Sequence, residues 1–150
     1  MARFRDEQKV IDAFAPHLPP GETVRYYGYG VKQPPIILIF FLFLLAILPG
    51  AIAVALLTKE YLVALTEKRF LVLRFSGGKI DVKEVLEYPL DGLAHVKTSK
   101  GGLFTHLRID DPQKPFVAKF HRLGLKQNKP HCEAIADALE QAARGQASAA

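Results

Sequence analysis

Three rhythms of hydrophobic and polar positions divide this chain. Residues 3–15 place Phe4, Ile11 and Phe14 at helical spacing and stop at Pro16, which predicts a short amphipathic helix. After the Pro19-Pro20-Gly21 turn, residues 22–31 (ETVRYYGYGV) are rich in valine and tyrosine and read as a strand or an aromatic interfacial segment. The second rhythm is unbroken apolarity. From Gln33 to Thr58 no ionisable side chain occurs, and residues 36–57 would make a helix of about 33 Å, one bilayer hydrocarbon core. A helix apolar on every side is hard to bury within a 150-residue chain, so the expectation is a membrane insert marked by Ile36, Phe40, Leu44, Leu48, Ile52 and Leu56. It reads either as a single transmembrane helix kinked at Pro49-Gly50 or as a re-entrant hairpin turning there between arms 35–48 and 51–58.

Beyond the insert the period becomes that of strands. Runs 61–66 and 69–75 flank the two-residue connection Glu67-Lys68, as in a hairpin, and Ser76-Gly77-Gly78 turns the chain into a third strand at 80–88. Residues 93–99 resume the pattern. Gly101-Gly102 leads into 103–109, where Leu103, Thr105, Leu107 and Ile109 share one face. Asp110-Asp111-Pro112 ends that strand, and 116–120 offers Phe116, Ala118 and Phe120 to a core. The last element is helical. Asn128 or Lys129 caps it, Pro130 and Glu133 suit its first turn, Cys132, Ile135, Ala136, Leu139 and Ala143 share a face, and Gly145 ends it. Short strands closed by a helix predict an α+β, mainly β architecture: an antiparallel barrel or sandwich with a C-terminal capping helix.

Charge adds a direction. The acidic residues Asp6, Glu7, Asp12 and Glu22 before the insert argue against a cleaved leader, so the insert is expected to stay. Lys59, Lys68, Arg69 and Arg74 follow it while Arg25 and Lys32 precede it; four against two puts the C-terminal domain in the cytoplasm and the chain at the cell (inner) membrane. The net charge is +5, but residues 94–129 carry eight lysines and arginines against Asp110 and Asp111, a local +6. On a tethered domain the nearest large anion is the lipid surface, and Lys114, Lys119, Arg122 and Lys126 are the expected contacts to anionic headgroups. The other reading of the same charge is an ordinary solvated surface.

Enzyme chemistry finds little support. His17, His95, His106, His121 and His131 lack metal-ligand spacing, and the adjacent His131-Cys132-Glu133 would diverge around a helix. Cys132 is alone, which excludes an intrachain disulfide framework, and it falls on the apolar helix face. Neither Gly77-Gly78 nor Gly101-Gly102 opens a helix as a phosphate-binding loop would. No cofactor or metal is expected. No nucleic acid is expected either, since Phe104 and Phe120 read as core or interface.

With those elements in order, the chain resembles the pleckstrin-homology-like (PH-like) domains of bacterial proteins. YLVALTEKRFLVL (61–73) is similar to that family's strand, Thr-Asp/Glu-x-Arg, strand hairpin; EYPLDGLAHV (87–96) is similar to its Pro-Leu-x-x-Ile-x-x-Val segment; Gly21-Glu22-Thr23-Val24 is similar to a Gly-Glu-x-Val that precedes a membrane insert. Gly92-Leu93 and Ala94-His95 depart from the branched residues usual in that loop, and the insert is short for the two-helix hairpin of relatives. The resemblance covers about residues 20–143 and implies a bent antiparallel sheet closed by the last helix. If 22–31 pairs within that sheet, the insert must be a hairpin.

The expected organisation is therefore an N-terminal helix and strand-like segment (1–33), a membrane insert (34–58), a PH-like domain (59–145) and a flexible tail (146–150). Its expected role is a membrane-anchored, non-enzymatic binding or scaffold module, touching the lipid bilayer and an anionic headgroup or a protein partner. The alternative is a subunit of a membrane assembly, homo-oligomers included, in which the insert packs on partner helices through Gly50, Ala51, Ala53 and Ala55.

Overall fold

Strands and helices share the described residues almost equally, and the strands form where the period-2 patterning places them. A computed structural model describes residues 7–33, 36–76 and 80–149. Arg3 and Phe4 of the first predicted helix, Pro35 of the predicted hairpin arm and the predicted Gly77-Gly78 turn lie outside the described residues. The elements are α1 (Glu7–Phe14), β1 (Tyr26–Lys32), α2 (Ile36–Leu45), α3 (Ile47–Leu57), β2 (Lys59–Leu65), β3 (Arg69–Ser76), β4 (Asp81–Pro89), β5 (Val96–Lys100), β6 (Phe104–Ile109), β7 (Phe116–His121) and α4 (Asn128–Ala149). Among the described residues seven strands form one antiparallel sheet in the order β4-β3-β2-β1-β7-β6-β5.

The sheet bends at β1. That strand pairs with β2 along its whole length, from Tyr26↔Leu65 to Lys32↔Lys59, but meets β7 in register only at Val31↔Lys119. Its two halves then fold over a shared core in which Val63, Phe70 and Val72 join Leu107, Ile109, Phe116 and Phe120. Phe116 lies 5.1 Å from Tyr61 and 6.1 Å from Phe70, ring centre to ring centre. Gly28 and Gly30 make the fold-over sterically feasible. A Cβ at Gly28 would stand 2.4 Å from the Cys132 sulfur, and one at Gly30 would stand 2.5 Å from the Phe120 ring. The sheet stays open at β4 and β5, so it is an open, bent antiparallel sandwich with free edges rather than a closed barrel.

Helix α4 lays Cys132, Ile135 and Leu139 into that core and runs through Gly145 to Ala149. Asn128 fixes where it starts. Its side-chain carbonyl accepts the Tyr29 N–H at 2.8 Å, and its amide nitrogen donates to the carbonyls of Tyr29 at 3.0 Å and His121 at 2.6 Å. A second core covers the other face of β2 and β3, where Leu62, Ala64, Leu71 and Leu73 pack against Val10 and Phe14 of α1. Glu7 anchors α1, accepting from the Tyr27 hydroxyl at 2.6 Å and the Lys126 N–H at 2.9 Å.

The three segments that carry the sequence resemblance meet at one corner. Arg69 donates to Glu22 through Nε at 3.1 Å and Nη2 at 2.7 Å, and to Glu87 through Nη1. The Thr66 hydroxyl accepts the N–H groups of Lys68 and Arg69 and donates to Glu22, which closes the β2–β3 turn. Leu90 adds its N–H to the Lys68 carbonyl at 3.0 Å.

The apolar insert is not one continuous helix. Among the described residues no helix is long and apolar enough to cross a membrane. The stretch is divided into α2, ten residues, and α3, eleven, each about 15 Å long. Two physical causes act together. Lys32 and Lys59 are partners across β1 and β2, so the insert must return to where it left. Ala46 is extended, with φ −169° and ψ 137°, and breaks the helix there instead of at Pro49-Gly50. Pro49 sits in the first turn of α3, where its missing N–H costs no helical bond. Ile36, Phe40 and Leu44 therefore stand on one short helix and Leu48, Ile52 and Leu56 on another. The transmembrane helix, the membrane anchoring built on it and the assignment to the cell membrane lose their structural basis.

Candidate functional site

Helix α2 leaves β1 and overhangs the half-sheet β5–β7, and a groove of about 530 Å³ lies between them. Strand alternation sets its floor. Thr105, Leu107 and Ile109 of β6 and Phe116, Ala118 and Phe120 of β7 point inward and are buried, which sends His106, Arg108, Val117 and Lys119 outward. Antiparallel register then aligns two rows across the face: Ser99, His106, Lys119 and Val31 in one, Lys97, Arg108 and Val117 in the next. Lys97 stands directly opposite Arg108, a like-charge pairing that costs sheet stability unless an anion lies over it.

Among the described residues, no aspartate or glutamate lines the groove. Outside the lining, Asp110 accepts from Arg108 Nε at 2.6 Å, and Glu140 accepts from the hydroxyl of Thr98. The hydrogen bond from Arg108 pulls the Asp110 pKa below its ordinary value, with Arg108, Lys97 and His95 adding positive field. Lys119 reaches the side-chain oxygen of Gln33 and lies 4.9 Å from the Phe104 ring centre. The opposite wall is apolar: Ile36 and Ile39 of α2 face the groove, with Val31 and Val117 at its base.

The other three expected lipid contacts lie in different surroundings. Lys114 donates to the Glu87 carbonyl and sits 5.1 Å from the centre of the Tyr88 ring, beside β4. Arg122 follows β7, exposed, with its N–H on the Leu103 carbonyl. Lys126 precedes α4 and is held by its backbone to Glu7. Lys97, His106 and Arg108 joined the site only through cross-strand register, though all three lie in the basic region that the sequence marked out.

Catalytic alternatives gain nothing from the geometry. Among the described residues no three His, Cys, Asp or Glu side chains are placed to hold a metal ion. Cys132 is 3% exposed, and burial pushes its thiol well above the usual range, which suits packing rather than nucleophilic attack.

Helices α2 and α3 carry a wide exposed apolar surface, with Ile36 81% and Leu45 83% accessible, and surfaces of this kind mark interaction sites. They cross closely at Gly50, where a Cβ would meet the Leu42 carbonyl oxygen at 2.4 Å.

No family model matches the chain, and no curated protein does. Among solved structures, the hSac2 domain from the human phosphoinositide phosphatase Sac2 is similar at 12% identity and a TM-score of 0.49, over 95% of this chain and 85% of that one. A pleckstrin homology domain from Shewanella amazonensis SB2B is similar at 17% identity and a TM-score of 0.44, over 93% of this chain and 100% of that one. Likeness at this level carries no argument about ligand or activity.

Proposed function

We propose that this chain is a non-enzymatic binding module of PH-like architecture whose ligand is an anion taken on the outer face of β5–β7. One observation carries the reading: Lys97, Arg108 and Lys119 share a groove floor with no carboxylate among the described residues of its lining. Coulomb attraction to such a face falls with salt and rises with ligand charge. A buried PH-like core holding the strands in register gives the three cations fixed spacing, as recognition of a compact anion requires.

The test is an isothermal titration of the full chain with inorganic pyrophosphate at low and high salt. Binding should weaken as salt rises and fall at least tenfold in Lys97→Gln/Arg108→Gln. Unchanged affinity in that double variant would reject the site, and absence of binding at low salt would reject the function.

A further inference from the structure

The two walls of the groove differ in chemistry, and that difference constrains the ligand beyond its charge. A small inorganic anion seated over Lys97 and Arg108 leaves Ile36 and Ile39 in water. A neutral apolar molecule against Ile36 and Ile39 strips water from the cations without replacing it, which is costly. Both walls are satisfied at once only by a molecule with an anionic head and an apolar tail. We infer that the groove binds a single-chain anionic amphiphile, a carboxylate or phosphate monoester on an alkyl chain, with its head on Lys97, Arg108 and Lys119 and its tail along Ile36 and Ile39 of α2. This rests on the anion-binding reading above and adds the tail to it.

Three features support the assignment. The volume, about 530 Å³, falls within the 300–1,000 Å³ range of small-molecule sites. Ile36 is the first residue of α2, so the positive end of that helix's dipole lies beside the cations and adds to the attraction for a headgroup. Ile36 also remains 81% exposed, leaving apolar surface for a tail to cover. Because the head and tail subsites come from different elements, a β-sheet and an inserted helix, they can be altered separately.

The experiment is a calorimetric titration of the full chain with butyl, octyl and dodecyl phosphate, each below its critical micelle concentration, and with dodecyltrimethylammonium as the charge control. Each methylene that leaves water is worth about a fourfold gain in affinity, so octyl phosphate should bind at least tenfold more tightly than butyl phosphate. Ile36→Asn, which makes the wall polar without adding a charge beside the cations, should remove most of that gain, whereas Leu45→Asn, at the far end of α2, should leave the gain intact. Lys97→Glu/Arg108→Glu should weaken all three phosphates together. Equal affinity for butyl and octyl phosphate overturns the amphiphile while leaving anion binding in place. A chain-length gain that survives Ile36→Asn, or equally tight binding of dodecyltrimethylammonium, puts the tail elsewhere on the hairpin and also overturns it. Failure of every phosphate to bind overturns the anion-binding reading itself.

Discussion

Glu22 and Arg69, 47 residues apart, are joined by two hydrogen bonds from the guanidinium to one carboxylate oxygen, at 3.1 and 2.7 Å. The Glu22 side chain is 7% exposed, while Glu87, the other partner of Arg69, is 43% exposed. Burial decides which partner matters, because an exposed pair is screened and a buried charge left alone is not. Glu22→Ala should lower Tm by several degrees, and Glu87→Ala should change it little. Thermal melts of the two variants give the order directly; equal effects would mean that the corner is not what locks the chain before β1 to the β2–β3 turn.

Close approach at β1 supplies a second prediction. Gly30→Ala puts a methyl 2.5 Å from the Phe120 ring and 3.1 Å from the Lys119 carbonyl oxygen, so the bend must loosen. Overpacking of this kind costs about 1–3 kcal/mol. Urea denaturation at equilibrium measures it, and a neutral substitution would show that the two half-sheets are less tightly folded together than described.

The hairpin is testable in the same way. Gly50→Val meets the backbone of Leu42, which cannot rotate aside as a side chain can. Hydrogen exchange should quicken for amides of α2 and α3 while those of β2 and β3 keep their protection. Uniform protection across the variant would contradict the crossing at Gly50.

Alkaline stability follows from Tyr27. Burial first, then its hydrogen bond to Glu7, raises this phenol from 10.0 to about 12. The unfolded chain therefore loses its proton before the folded one does. Stability contributed by Tyr27 is complete below pH 10 and is lost as pH rises to about 12. Tyr27→Phe should flatten that part of a stability profile measured by urea melts from pH 9 to about 12. A slope unaltered by the substitution would assign the alkaline loss to other groups.

Periodicity made much of this fold legible. The inward residues Thr105, Leu107 and Ile109 of β6, those of β7, the Glu67-Lys68 connection and the apolar face of α4 follow from side chains alternating every second or every third-to-fourth residue, and that information is local; Leu103, expected on the same face, precedes β6 and is exposed. The insert misled because its length and apolarity match a bilayer, whereas its division depends on Lys32 meeting Lys59 and on an unmarked extended residue, Ala46. Both are matters of tertiary pairing. The site was legible only as a region: a +6 stretch of sequence cannot say that Lys97 lies opposite Arg108, or that α2 hangs over them, until register and the bend at β1 are known.

The anion-binding face is tested most directly by the amide chemical shifts of the full chain during titration with inorganic pyrophosphate. The largest, saturable changes should fall on Lys97, His106, Arg108 and Lys119, and should vanish together in Lys97→Gln/Arg108→Gln. Shifts centred instead on the corner of Lys68, Arg69 and Asp91, or spread evenly over the exposed lysines, would contradict it.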